Sequence, residues 1–264
     1  MALEGFQVGE GTVATVLLHG FLGSGRNLRS LATAWSAQEP ARRFYLPDLT
    51  GHGASPPLPE GATLQTLAAD VVQSAREAGL QGPLHLVGHS LGGRVSLVAS
   101  ERYGAEVSRV DLLDIAPGPI PVAMSESSGV LERLLEAPAR AADRRAMRAE
   151  LKAKGLSDGL TDWLLMNLVT DPAAGGVRWR FDREALARLH ARVNSQDLWH
   201  TVERASPPRP PMRCIRGGRA GYVTDADLRR LQAAGVPVAT LPEAGHFVHV
   251  DAPEALLAWL REAA

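Results

Sequence analysis

The stretch "LVGHSLGG", Leu86 to Gly93, decides how this chain is to be read. An apolar run ends there, and Ser90 sits between glycines before an amphipathic segment begins. Gly and Ser are common at ordinary strand-to-helix corners because they suit turns and caps. The same corner matches G-x-S-x-G over Gly88-His89-Ser90-Leu91-Gly92, where a sharp turn lifts a hydroxyl above the edge of a sheet. A residue placed there also lies at a helix N-terminus, whose free N–H groups favour developing negative charge. The surrounding pattern has to choose between the two readings.

Strand candidates at 12–18, 43–49, 83–88, 109–115, 212–217 and 236–241, most of them continuously apolar, alternate with helix-like segments at 26–37, 64–79, 91–103, 226–234 and 252–262. Unbroken apolarity is expected of strands covered on both faces. Their alternation with helices predicts an α/β fold with a mostly parallel, doubly wound sheet. Residues 118–205 break the alternation: they open with "PGPIPV", show no clear strand, and read as helices at 126–137, 139–154, 158–169 and 183–193. The expectation is a helical cap inserted into a core formed by 1–117 and 206–264, with "ASPPRPP" (205–211) as a stiff linker back to the sheet.

A chain of 264 residues is long enough for one large domain, or one domain with an insertion. A net charge of −1 supplies no field that favours nucleic acid or an anionic membrane. No apolar run approaches the roughly 20 residues of a membrane span. The opening "MALEGFQVGEG" lacks the charged and apolar regions of a signal peptide. The expectation is a soluble, cytoplasmic protein without nucleic-acid or membrane partners, a monomer or small homo-oligomer. The single cysteine, Cys214, lies in an apolar stretch and reads as a small buried hydrophobe.

A serine at its ordinary pKa is a poor nucleophile and needs a base. Of the eight histidines, His246 in "PEAGHFVH" follows the last apolar run and precedes the last helix, at the sheet edge where α/β sites assemble. His19 in "LLHGF" and His52 in "TGHGAS" read as loop-shaping, and His89 is expected to point elsewhere in so tight a turn. His85, His190 and His200 have no motif around them, and His249 reads as a pocket or surface residue. The spacing His246-x-x-His249-x-Asp251 also admits a metal, but the reading taken requires neither metal nor cofactor. "HGFLGSG" (19–25) reads either as a flexible loop or as the source of one oxyanion donor. It lacks the lysine of a phosphate-binding loop. In the second reading the Phe21 backbone N–H pairs with that of Leu91 to form an oxyanion hole.

"LLHGFLGS", "PDLTGHGAS", "GHSLGGR" and "GHFVHVDAPEAL", in this order and across nearly the whole chain, resemble the α/β-hydrolase family. The resemblance implies a helical cap after the family's sixth strand, where the insertion was read. "DLLDIAP" (111–117), "RWRFDREAL" (178–186) and "RGGRAGYV" (216–223) resemble a narrower branch of small carboxylesterases. That branch includes bacterial esterases acting on acyl esters and acyl-CoA thioesters, and related mitochondrial α/β-hydrolase-domain proteins. The commoner family acid, in a G-x-x-D pattern after the seventh strand, is missing, since Gly217-Gly218-Arg219 is followed by Ala220. The branch resemblance implies Asp114 instead, at the end of the strand beside the nucleophile strand. Asp225 is the alternative acid, and Asp48 in "LPDL" reads as structural.

The resemblance thus implies ester or thioester hydrolysis of a small molecule through an acyl-enzyme on Ser90, with His246 and Asp114 completing a triad. Trp163, Leu164, Met166, Trp179, Phe181 and Trp199 are candidates for an apolar substrate pocket, against a plainer role in packing the cap. Arg94 reads as either beside the site or solvated. "LLHGFLGS" and "SLGGR" also resemble a menaquinone-pathway synthase, a lyase in which the serine abstracts a proton and arginines bind carboxylates. A C–C hydrolase and a non-catalytic ligand-binding protein are the further alternatives.

Overall fold

Val16, Leu17 and Leu18 show how an apolar run becomes a strand. Val16 and Leu18 join one buried cluster, and Leu17 joins a second on the opposite face. Leu86 and Val87 divide in the same way, as do Leu112 and Leu113, and Cys214 and Ile215. A strand's side chains alternate between faces, so a run apolar at every position demands cover on both. Each fully buried Leu contributes roughly 1.5–3 kcal/mol relative to exposure.

The computed structural model describes residues 2–204 and 209–262. Up to the insertion the chain forms β1 (Gly5–Val8), β2 (Val13–Leu18), α1 (Arg29–Gln38), β3 (Arg42–Pro47), α2 (Leu64–Glu77), β4 (Leu84–His89), α3 (Leu91–Arg102) and β5 (Val107–Leu113). The insertion holds α4 (Glu126–Glu136), β6 (Arg140–Ala141), α5 (Arg144–Ala153), α6 (Asp158–Leu165), β7 (Leu168–Thr170), β8 (Val177–Trp179), α7 (Arg183–Asn194) and α8 (Trp199–Glu203). The chain closes with β9 (Met212–Gly217), α9 (Asp225–Ala233), β10 (Val238–Leu241), α10 (Val248–Asp251) and α11 (Pro253–Arg261).

Seven strands form one sheet in the order β1-β3-β2-β4-β5-β9-β10. All neighbours are parallel except β1, which runs antiparallel to β3 at the edge. Parallel pairing carries every strand's C-terminal end to the same side. His89 pairs with Leu113, and Leu113 with Ile215, so the residues that follow these strands emerge together. Among the described residues no helix is long and apolar enough to cross a membrane.

Four sequence expectations need correction. The edge strand β1 was not foreseen; its pattern alternates exposed and half-buried residues over only four positions. The insertion is not all helical: β6, β8 and β7 pair as a small antiparallel sheet. The helix expected at 139–154 begins instead at Arg144, because Asp143 accepts the Ala146 N–H and caps it. The helix expected at 158–169 stops at Leu165, and Asn167 then accepts the Arg180 N–H across to the strand side of the insertion. The strand preceding the insertion is the fifth of this chain. Residues 205–208 of the expected linker, with the boundary drawn there, lie outside the described residues.

Candidate active site

Ser90 occupies the one-residue corner between β4 and α3, at φ 52° and ψ −114°. That conformation is costly for any residue with a Cβ. Closure of the corner depends on Gly92, where a Cβ would lie 2.4 Å from the Leu18 carbonyl oxygen. Among the described residues three non-glycines have positive φ: Leu22, Ser90 and Asp114. One lies in the loop after β2, one follows β4 and one follows β5, so the strained positions gather at a single sheet edge.

Asp114 is fully buried and uses both carboxylate oxygens. Oδ1 accepts the Gly217 N–H at 2.9 Å, and Oδ2 lies 2.7 Å from His246 Nδ1. The Asp114 N–H donates to Ile215 O, and the Ser90 N–H donates to Leu113 O. Adjacent strands thereby tie the two corners together. A carboxylate facing Nδ1 fixes the proton there and leaves Nε2 as the basic nitrogen. Among the described residues Nε2 of His246 makes no hydrogen bond, not even to Ser90 Oγ, and the imidazole borders the same cavity as Ser90. Burial lowers the His246 pKa well below the usual histidine range, so the ring rests neutral. Burial raises Asp114, opposed by the Gly217 N–H and by nearby Arg216.

Three further contacts hold His246 and the loop that carries it. The His89 Nε2–H donates to the His246 carbonyl at 2.8 Å, and the two rings lie 4.6 Å apart. Gly245 donates its N–H to Asp251. Tyr222 stacks on the imidazole at 3.8 Å with planes 20° apart. Sequence reasoning missed Tyr222 and the His89 contact; Tyr222 stood only inside a quoted motif, and its stacking is a tertiary event with no local spacing.

The loop after β2 supplies the other wall. Gly20 approaches so closely that a Cβ would lie 2.8 Å from His89 Nδ1 and 3.4 Å from the Ser90 Cβ. His19 shapes this loop as expected: Nδ1–H donates to Gly20 O, while Nε2 accepts the Leu49 N–H. Asp48 accepts from the Gly25 and Ala54 N–H groups and ties two loops together. The Phe21 and Leu91 N–H groups, the expected oxyanion donors, make no hydrogen bond among the described residues. The first N–H groups of a helix have no partner within it, so Leu91 is free to donate.

A cavity of about 510 Å³ opens over Ser90 and His246. Phe21, Leu22 and Leu28 line one side, while Val130 of α4, Leu156 just before α6 and Leu160 of α6 line the other. Of the proposed pocket aromatics only Trp163 borders it, 6.0 Å from Phe247. Met166 is 54% exposed and does not border the cavity. Trp179 is buried, stacks on Phe181 and donates to Pro138 O. Trp199 is buried against Gly118 and the Arg230 guanidinium. Leu164 is fully buried in the apolar cluster that also takes in one face of the sheet, and Phe181 borders a different, smaller cavity. These side chains build the cap rather than the pocket.

Asp225 is likewise removed from the site. It opens α9 with its side chain 75% exposed and pairs with Arg216 at 2.7 Å. Arg94 is neither solvated nor beside the cavity: its guanidinium donates to the carbonyls of Ala116, Gly118 and Gln196, clasping the start and end of the insertion. His249 borders the cavity as expected. Among the described residues no three His, Cys, Asp or Glu side chains converge as a metal site requires.

The sequence profile of the Alpha/beta hydrolase family matches residues 15–259. The mouse (Mus musculus) protein named sn-1-specific diacylglycerol lipase ABHD11 is 30% identical over 248 residues, covering 91% of this chain and 77% of that protein. Among solved structures, one titled marine microorganism esterase superposes with a TM-score of 0.85 at 22% identity, over 98% of each chain. E-2-(acetamidomethylene)succinate hydrolase superposes at 0.78 and 23% identity, over 98% of this chain and 93% of that one.

Proposed function

The chain belongs to the alpha/beta hydrolase family, and within it we propose a serine esterase that cleaves carboxylic or thio-esters through an acyl-enzyme on Ser90. The observation that carries the reading is the buried Asp114–His246 pair, 2.7 Å apart, with His246 bordering the same cavity as a serine held in a strained corner. The relative named as a diacylglycerol lipase supports the ester class.

In this reading His246 Nε2 takes the Ser90 proton as Oγ bonds to the substrate carbonyl carbon. The carbonyl oxygen becomes an oxyanion, and the Phe21 and Leu91 N–H groups donate to it. The tetrahedral intermediate then expels an alkoxide or thiolate, which takes the proton from His246. Water, deprotonated by the same nitrogen, attacks the acyl-enzyme and frees the acid and Ser90. Asp114 stabilises the imidazolium that forms in each half, and the face of Tyr222 stacks on it. No step requires a cofactor or a metal. Arg94, which the lyase alternative would use to bind a carboxylate, is occupied by backbone carbonyls.

The test is hydrolysis of p-nitrophenyl esters from acetate to palmitate by wild type and Ser90→Ala. The variant is expected to lose at least about 10⁴-fold in kcat. A fluorophosphonate is expected to label wild type and not the variant. Undiminished turnover by Ser90→Ala, or no ester turnover by the folded wild type, would overturn the assignment.

A further inference from the structure

The cavity wall contributed by α4 carries opposite charges at its two ends. Glu126, Ser127, Gly129, Val130 and Arg133 all border the cavity. They lie at i, i+1, i+3, i+4 and i+7, one face of the helix, spanning about 10 Å along its axis. Its first end is the reacting end: the Ser127 N–H donates to the Tyr222 hydroxyl, and Tyr222 stacks on His246. Arg133 is therefore the distal end, reached past Val130, Leu156 and Leu160.

Arg133 is half-buried and fixed in place. Its Nε donates to Lys154 O at 3.0 Å and one terminal nitrogen donates to Gly129 O at 3.0 Å. Among the described residues the second terminal nitrogen has no partner, and no carboxylate pairs with the guanidinium. Glu136, one turn further along α4, is engaged by Lys154 instead. Histidines aside, Arg133 is the only cation among the described residues lining the cavity, and Glu126 the only acid. An arginine held rigid by two carbonyls, with donors left over in a mostly apolar cavity, is arranged to receive an anion.

We propose that Arg133 determines specificity, selecting esters whose reacting carbonyl is joined through an apolar segment of about 10 Å to a carboxylate or similar anionic group. Glu126 repels that group from the reacting end and Arg133 receives it at the other, so the charge also sets the orientation of the substrate. This rests on the esterase reading above, and it adds a substrate class that the apolar walls alone would not select.

The experiment compares mono-p-nitrophenyl suberate, which carries a free distal carboxylate, with p-nitrophenyl octanoate. Octanoate turnover by wild type reports the esterase chemistry itself; if neither ester is cleaved, that reading fails and this one with it. Arg133→Gln is expected to lose roughly 10–100-fold in kcat/KM on suberate, the worth of a hydrogen bond to a charged group. On octanoate it is expected to change less than about threefold. Arg133→Lys is expected to keep most of the suberate activity. Because the variant also loses two backbone contacts, wild type alone supplies a second measurement. Raising the salt from low to high ionic strength is expected to raise KM for suberate and leave KM for octanoate unchanged. Equal losses on both esters, or a suberate KM indifferent to salt, would show Arg133 to be a structural clasp only.

Discussion

In the proposed mechanism Asp114 concentrates much of the chemistry in one side chain. Its two oxygens divide between the Gly217 N–H and His246 Nδ1, and its backbone holds φ 50° to present them. Asp114→Asn keeps the shape but offers an amide donor where an acceptor is needed, which turns His246 to the wrong tautomer. The expected loss in kcat on p-nitrophenyl esters is roughly 10³–10⁴-fold. Asp225→Asn, on an exposed carboxylate paired with Arg216, is expected to stay within about twofold, the usual reach of a surface change. If Asp225→Asn were the damaging variant, the acid assignment would be wrong. Ser90 and His246 were legible because each stands in a local pattern, a G-x-S-x-G corner and a loop after the last strand. Asp114 was legible only through a resemblance, and its geometry became visible only in the fold. Trp163 does border the cavity, but Trp179 and Trp199 were misplaced for a physical reason: a sequence shows that a ring will be buried, not which face of the insertion buries it.

At the scale of elements, the sheet was legible because most of its strands carry consecutive apolar residues and most of the segments between them repeat with a helical period. What escaped was short or half-exposed. β1 covers four residues, and β6, β7 and β8 cover two or three each. No periodicity can be read over so few positions. The β4–Ser90–α3 corner is the opposite case, because its geometry is demanded by close backbone approach. Gly92→Ala would drive a methyl group to 2.4 Å from the Leu18 carbonyl oxygen, and both partners are backbone that cannot swing aside. The corner must then open, at a cost of about 1–3 kcal/mol, which corresponds to a drop in Tm of roughly 2–10 °C for a chain of this size. The displaced Ser90 is expected to lose kcat at the same time. Thermal melts and ester assays on one preparation check both, and an unchanged Tm would mean the corner has slack that these contacts deny.

Over the whole molecule, buried neutral histidines set the response to acid. His19, His52, His85, His89, His190, His246 and His249 all have pKa values lowered by burial. His19 is lowered to about 4 and His52 to about 3, from the ordinary 6.5. Between pH 6.5 and these values the unfolded chain binds a proton that the native fold refuses. Stability is therefore fully present above pH 6.5 and falls as the pH drops. Each such histidine contributes up to about 1.4 kcal/mol per pH unit. Asp114 acts in the opposite sense, since its raised pKa lets the native state hold a proton that the unfolded chain has released. One carboxyl against seven imidazoles leaves the net slope with the histidines. Denaturant or thermal unfolding from pH 8 to pH 5 is expected to be nearly flat above pH 7. Below pH 6.5 it is expected to fall with an uptake of more than one proton on unfolding. His52→Phe tests the origin of the slope. The His52 ring sits buried with Nε2 lacking a partner and Nδ1 donating to Thr50 O at 3.2 Å, so an apolar ring gives up one hydrogen bond, and the variant is expected to show a shallower acid limb by up to one proton. A stability that stayed level from pH 7.5 to pH 5 would falsify the account, because buried imidazoles cannot remain neutral without that linkage.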